Sequence, residues 1–239
     1  MDGYLLLHGK GSGPDFEICS MNPVAERMKA DKKLYLHTTH SWGLGKVFQQ
    51  PYENCLDEVA KGIESLRQQG ATRVHLVGHS LGANVAFFYA TQFSNFESIV
   101  ALAAAHNTHL AKFNQWSSWS RNKAHALVNQ GLDLPADFID MSMMEVYIIS
   151  AIPSAYLSYL DPNGKTVMTK NVRRFKTPAN LFIASGTKDM TQVEVETLLY
   201  NPAQKTTNSV FLQTNDDHLT LPINTYLNWT SWCESLSLS

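Results

Sequence analysis

Residues 74–88 read VHLVGHSLGANVAFF, and this stretch decides the fold that the sequence predicts. An apolar run ends in the pentapeptide GHSLG of residues 78–82, and an apolar helical pattern follows directly. A serine in a turn of this kind has a strained backbone, and its hydroxyl projects from the carboxyl edge of the sheet. It also lies at a helix N-terminus, where free N–H groups and the helix dipole favour negative charge. Ser80 is therefore the candidate nucleophile.

Short apolar runs alternate with helical patterns along most of the chain. This alternation indicates a mostly parallel sheet with crossover helices, and nearly continuous apolar runs are typical of strands covered on both faces. The predicted strands are Tyr4–Leu7, Leu34–Thr38, Arg73–Val77, Ser98–Ala103, Asn180–Ala184 and Ser209–Leu212. The predicted fold class is α/β, with a central sheet of about six strands flanked by helices.

Residues 106–176 interrupt the alternation and are rich in Trp, Tyr and Met. We predict helices over Ser120–Gln130 and Phe138–Leu160, with Pro153 breaking the second. This helical insertion, within a single domain of residues 1–239, is either a lid over a ligand site or an ordinary helical layer. As a lid it would favour a substrate with an apolar acyl or alcohol group.

A serine nucleophile needs a histidine base and an acid that orients it, in the chain order serine, acid, histidine for a turn of this type. Asp189 follows the fifth predicted strand and His218 follows the sixth, so adjacent strands can bring them together. The other aspartates weighed are Asp133, Asp137, Asp140, Asp161, Asp216 and Asp217. The first four lie inside the insertion, and the last two adjoin the histidine and suit a turn. Asp189 and His218 are therefore the predicted acid and base.

The glycine-rich stretch LLLHGKGSGPDF, residues 5–16, could cradle a phosphate or hold an oxyanion. A dinucleotide loop requires G-x-G-x-x-G and an acidic residue after the next strand, but here the third glycine comes one position early and no carboxylate follows. A Walker-type loop requires G-K-[ST] at its end, and Lys10 instead lies between two glycines. The spacing favours an oxyanion hole formed by the backbone N–H groups of Lys10 and Leu81, with Gly11 as the second choice.

Together these elements resemble the α/β-hydrolase superfamily, most closely its compact esterase- and lipase-like members. The motifs that carry the resemblance are HGKG at residues 8–11, GHSLG at 78–82, GTKD at 186–189 and the pair at 217–218. The resemblance implies a serine hydrolase that cleaves a small-molecule carboxylic ester without a cofactor. A thioesterase, amidase or carbon–carbon bond hydrolase could use the same residues. A non-catalytic ligand-binding member of the fold is the alternative from another class.

Several side chains near the carboxyl edge of the predicted sheet are candidates for the substrate pocket. The residues predicted to bind substrate are Gly11, His40, Trp42, His79 and His106. For His79 the alternative is a packing role beneath the nucleophile. His106 and His109 have a spacing that suits one helix face, but no companion ligand supports a metal site, and we expect none.

The composition excludes several function classes. The formal net charge is −2 and no long basic run occurs, so nucleic acid is not an expected partner. The three cysteines, Cys19, Cys55 and Cys233, are widely spaced and predict buried thiols in a reducing compartment. No apolar stretch reaches the roughly 20 residues of a membrane span, and the start of the sequence lacks a signal-peptide pattern. The expectation is a cytoplasmic protein, with its oligomeric state open.

Overall fold

The computed structural model describes residues 1–106, 108, 111–142, 145–191 and 194–237. The strands are β1 (Asp2–Leu7), β2 (Leu34–His37), β3 (Arg73–His79), β4 (Ser98–Leu102), β5 (Ala136–Ser142), β6 (Glu145–Ala151), β7 (Asn180–Gly186) and β8 (Val210–Thr214). Six of them form one sheet in the order β2-β1-β3-β4-β7-β8, and every neighbouring pair in it is parallel. The α/β fold class and all six predicted strands are confirmed.

Helices cover both faces of this sheet. They are α1 (Asn22–Ala30), α2 (Cys55–Gln68), α3 (Leu81–Gln92), α4 (Ala111–Asn129), α5 (Pro153–Leu160), α6 (Met168–Asn171), α7 (Leu221–Asn224) and α8 (Tyr226–Ser235), with a 3-10 turn at Tyr52–Asn54 and a π-helical turn at Glu196–Tyr200. Alternate residues of a strand point to opposite faces. Leu5 accordingly packs in the layer that contains α2 and α3, whereas Tyr4 and Leu6 pack in the layer that contains α1 and α8.

The segment between β4 and β7 is only partly helical, and the predicted helix over Phe138–Leu160 is wrong in its first half. The strands β5 and β6 pair antiparallel, with Ile139 opposite Ile148. They contain three isoleucines and one valine, and β-branched residues lose side-chain freedom in a helix but suit a strand. Pro153 does not kink a helix. It is the first residue of α5, where the N–H group that proline lacks would have no partner within the helix.

The other predicted helices are confirmed. Ser120–Gln130 corresponds to the second half of α4, and the helical pattern that follows Ser80 corresponds to α3. Cys19, Cys55 and Cys233 are free and buried, as expected. Within the part of the chain that the structure describes, no helix is both long enough and apolar enough to cross a bilayer.

The sheet places the candidate residues at one edge. Ser80 follows β3, Asp189 comes three residues after β7, and His218 comes four residues after β8. Because the strands are parallel, their carboxyl ends all lie at the same edge of the sheet, where ligands bind in open α/β sheets. Ser80, Asp189 and His218 are therefore far apart in the chain but lie at the same edge of the sheet.

Candidate active site

Ser80 has the strained backbone expected of a serine in such a turn. Its φ is 55° and its ψ is −119°, a conformation that L-residues rarely adopt. The turn fits only because glycines flank it: a Cβ on Gly78 would lie 2.5 Å from the Ala83 nitrogen, and one on Gly82 would lie 2.0 Å from the Leu7 carbonyl oxygen. The serine is therefore held at the start of α3 in close contact with the end of β1.

Asp189 and His218 form a hydrogen-bonded pair. The His218 Nδ1 lies 2.7 Å from Asp189 Oδ2, and the Asp189 side chain is fully buried. Because a carboxylate only accepts, Nδ1 carries the proton and Nε2 is left to act as a base. The predicted acid and the predicted base are thus brought together across the loops that follow β7 and β8.

Thr191 completes this pair and was not found from the sequence. Its hydroxyl donates to Asp189 Oδ1 at 2.6 Å and lies 3.0 Å from His218 Nδ1, and its backbone N–H donates to the same carboxyl oxygen at 2.9 Å. Burial alone would raise the pKa of Asp189, but the hydrogen bonds from His218 and Thr191 outweigh it and lower the pKa from its ordinary value of 3.8. The carboxylate is therefore kept ionised. An Asp followed two residues later by Thr is a turn pattern that could have indicated this contact.

The glycine-rich loop lies against Ser80. A Cβ on Gly9 would be 3.3 Å from the Ser80 Cβ. Among the described residues, the backbone N–H groups of Lys10 and Leu81 donate to no other group, which leaves both available for an oxyanion. The Gly11 N–H instead donates to the Trp42 carbonyl at 2.8 Å. Of the two candidate amides in the loop, only that of Lys10 has no partner among the described residues.

Solved structures match the fold of this chain over nearly its full length, whereas no protein-family model and no curated protein matches the chain. A lipolytic enzyme of the metagenome-derived pair LipS and LipT and the monoacylglycerol lipase of Paleococcus ferrophilus each have a TM-score of 0.66 at 17% identity, over 98% of this chain and 94% of theirs. DcsB, solved with a substrate analogue, has a TM-score of 0.73 at 10% identity, over 98% of this chain and 90% of its own. This chain has the α/β-hydrolase fold.

Within this α/β-hydrolase fold, the Lys10 side chain connects the glycine-rich loop to the β5–β6 hairpin. Its Nζ donates to both carboxyl oxygens of Asp140 at 2.7 Å and to the Met141 carbonyl at 2.9 Å. Tyr147 also donates to Asp140 at 2.7 Å, and the Asp140 side chain is fully buried. No short sequence pattern predicts this ion pair, because Lys10 and Asp140 lie 130 residues apart in the chain.

Replacing Lys10 with methionine should destabilise the fold by about 3 kcal/mol, because Asp140 would remain buried without its cation. Lys165→Met is the matched control: Lys165 pairs with Glu53 at the surface, where such a contact contributes less than about 1 kcal/mol. Urea unfolding of both variants measures the difference. Equal losses in the two variants would show that Asp140 does not depend on Lys10.

His40 and Trp42 contact the glycine-rich loop of the α/β-hydrolase fold. Their rings stack at 4.3 Å, and Trp42 is fully buried and donates through its Nε1 to the His8 carbonyl at 2.8 Å. His40 lies 3.5 Å from Glu58 and lines a cavity of about 290 Å³ on the α2 side of the loop. The structure thus places Trp42 in the core and His40 beside this cavity.

His79 directly precedes Ser80, and His106 follows Ala105, whose N–H donates to the Ser80 carbonyl at 3.4 Å; both histidines are hydrogen-bonded within the protein. The His106 Nε2 donates to the Tyr159 carbonyl at 2.7 Å, while burial, followed by the charge of Lys10, lowers the pKa of His106 to about 4. Both ring nitrogens of His79 have protein partners, so neither is left for a ligand. His109 lies outside the described residues. Among those described, no group of three or more His, Cys, Asp or Glu side chains has the arrangement of a metal site.

Proposed function

We propose that this protein is a serine hydrolase that cleaves a carboxylic ester through Ser80, His218 and Asp189. The observation that carries the proposal is the preformed pair of His218 and Asp189, at 2.7 Å, at the edge where the strained Ser80 turn projects. A buried, ionised carboxylate bonded to a histidine at this place is the arrangement that activates a serine.

The reaction proceeds in two halves through an acyl-enzyme. His218 Nε2 takes the proton from the Ser80 hydroxyl as its oxygen attacks the ester carbonyl, and then gives that proton to the leaving alkoxide, which departs as an alcohol. Water next attacks the acyl-serine while His218 again accepts a proton, and the acid product leaves as Ser80 recovers its hydroxyl. Asp189 holds the imidazole in the required tautomer and stabilises its charged form.

The tetrahedral intermediate carries a negative oxygen, and the Lys10 and Leu81 N–H groups are the proposed donors to it. Both are unpaired in the described part of the chain, and Leu81 begins α3, where the helix dipole adds a positive potential. One such donor contributes about 3 kcal/mol to lowering the barrier. Because these donors belong to the backbone, the Lys10 side chain is free to pair with Asp140.

The proposed substrate is a small-molecule ester with an apolar group, and residues 106–176 are the proposed lid within a single domain. The contact of Lys10 with Asp140 supports the lid, since it joins the β5–β6 hairpin to the glycine-rich loop. The lipolytic neighbours in the structural comparison favour an ester over a thioester or an amide.

Labelling with a fluorophosphonate tests the proposal, because this probe phosphonylates only an activated serine. We expect one adduct, located at Ser80 by peptide mass spectrometry, together with hydrolysis of short-chain p-nitrophenyl esters. His218→Ala should suppress the adduct. Folded protein without an adduct at Ser80 would contradict the proposal and favour a ligand-binding role for the fold.

Replacing Thr191 with valine should lower kcat on the order of tenfold, because the Asp189–His218 pair loses a restraint on its geometry. A carboxyl group whose pKa is lowered in the folded state stabilises the protein above its unfolded pKa, and this contribution is lost as pH falls through the folded value. The variant should have a higher Asp189 pKa than the wild type, so its acid loss of stability should begin at a higher pH. Steady-state kinetics and urea unfolding across acidic pH measure both effects.

Thr187→Val is the control for the Thr191 variant. Thr187 lies on the same loop, and its hydroxyl donates to Asn215 at 3.1 Å, away from Asp189. Thr187→Val should leave unchanged both kcat and the pH at which stability begins to fall in acid. Equal effects of the two substitutions would show that the Thr191 hydroxyl has no specific role.

A further inference from the structure

His79, the residue before the nucleophile, makes two hydrogen bonds that fix its tautomer. Its Nε2 lies 2.9 Å from the backbone oxygen of His218, and its Nδ1 lies 2.8 Å from the Ser20 hydroxyl. A carbonyl oxygen only accepts, so Nε2 must carry the proton and Nδ1 must accept from Ser20. His79 is 3% exposed. Burial, followed by the charge of His218, lowers the pKa of His79 to about 3, which keeps the ring neutral.

These contacts give the base two separate points of attachment. Asp189 holds the ring of His218 through Nδ1, and His79 holds the backbone of the same residue through its carbonyl. The His79 and His218 rings are 4.7 Å apart. Since His79 precedes Ser80 directly in the chain, one side chain links the backbone of the base to the turn that carries the nucleophile.

We propose that His79 is a positioning residue: its Nε2–H bond to the His218 carbonyl holds the base in register with Ser80, and Ser20 selects the tautomer that can make this bond. The inference rests on the proposed function. It also assigns a role to Ser20, which lies just before α1 and has no motif that would single it out.

The same strand contains a matched control for this role. His75 lies four residues before His79 on β3, is fully buried, and has its Nδ1 2.8 Å from the Ser98 hydroxyl. It therefore repeats the histidine–serine contact toward the other end of the strand, away from His218. A merely structural role for a buried histidine of β3 should appear equally at both positions.

The kinetic test compares His79→Leu, His79→Gln, Ser20→Ala and His75→Leu in the full chain, each corrected for folded protein. Leucine cannot donate, whereas the glutamine amide can donate from about the position of the imidazole Nε2. We expect His79→Leu to lower kcat about 100-fold with KM unchanged, since a small displacement of a reacting group is this costly. His79→Gln should recover most of the loss, and His75→Leu should lose stability but keep kcat.

Ser20→Ala keeps the buried ring and tests the tautomer alone. It should lower kcat less than His79→Leu does, and the double variant should be no worse than His79→Leu, because both substitutions act on one bond. Equal kcat values in His79→Leu and His75→Leu, or no recovery by glutamine, would overturn the proposal.

A readout that needs no turnover separates this proposal from the proposed function. In proton and nitrogen NMR, wild-type His79 should show the Nε2–H tautomer, and the downfield proton of the His218–Asp189 bond should weaken in His79→Leu but persist in His75→Leu. If fluorophosphonate does not label the wild type, the proposed serine-hydrolase function is wrong. These resonances would still test whether His79 positions His218. An Nδ1–H tautomer at His79, or a downfield proton unchanged in His79→Leu, would refute the positioning role.

Discussion

Ser80→Ala should abolish ester turnover while leaving the fold unchanged. Loss of a serine nucleophile costs on the order of a millionfold in kcat where it acts with a histidine and an acid. A φ of 55° is equally unfavourable in free energy for alanine and for serine, so the substitution relieves no backbone strain. Steady-state hydrolysis of a p-nitrophenyl ester and urea unfolding measure the two halves of this prediction.

Ser80→Gly is the informative companion to this variant. Glycine adopts the observed φ and ψ without a Cβ penalty, so the glycine variant should be as inactive as the alanine variant but more stable by about 1 kcal/mol. Retained turnover in either variant would assign the chemistry to another residue. A glycine variant no more stable than the alanine variant would show that the turn at Ser80 is not strained.

Gly82→Ala should be the most destabilising of the substitutions considered, by about 4 kcal/mol or more. The added Cβ would lie 2.0 Å from the Leu7 carbonyl oxygen and 2.8 Å from that of His8, and both are backbone atoms that cannot rotate away. Relief requires β1 and α3 to separate, which would also move the glycine-rich loop from Ser80. Urea unfolding should show the loss of stability, and any folded fraction should have a reduced kcat.

Gly131→Ala isolates the backbone cost from this steric clash. Gly131 has a φ of +73°, and a Cβ there would meet no atom within 4 Å. It should therefore cost only the roughly 1–2 kcal/mol of an unfavourable φ. If Gly82→Ala were no more destabilising than this control, the close approach of β1 to the start of α3 would be disproved.

The part of the site that the sequence predicted follows from which residues lie just after the ends of strands. Asp189 and His218 each follow an apolar run at the carboxyl end of a strand, so parallel pairing alone places them at one edge, and the structure has them 2.7 Å apart. The hairpin was missed because its outer strand, Glu145–Ala151, is largely exposed and lacks the apolar–polar alternation that marks a half-buried strand.

The pocket residues were harder to place for a different reason. Trp42 follows a strand like a site residue, yet its ring is fully buried behind the glycine-rich loop. Position along a strand tells which edge a residue lies at, but the direction of its side chain depends on which neighbours fill the remaining space. The same holds for His79, whose two partners lie 59 and 139 residues away.

Local patterns were sufficient for the parallel sheet and the glycine-flanked turn at Ser80, because each depends on periodicity or on backbone conformations open to few residue types. Long-range packing determined the rest. The Lys10–Asp140 pair and the link from Ser20 through His79 to His218 join parts of the molecule that no short pattern connects. Such bonds form between side chains that meet only after the strands and helices have assembled, so their partners are defined by the folded geometry.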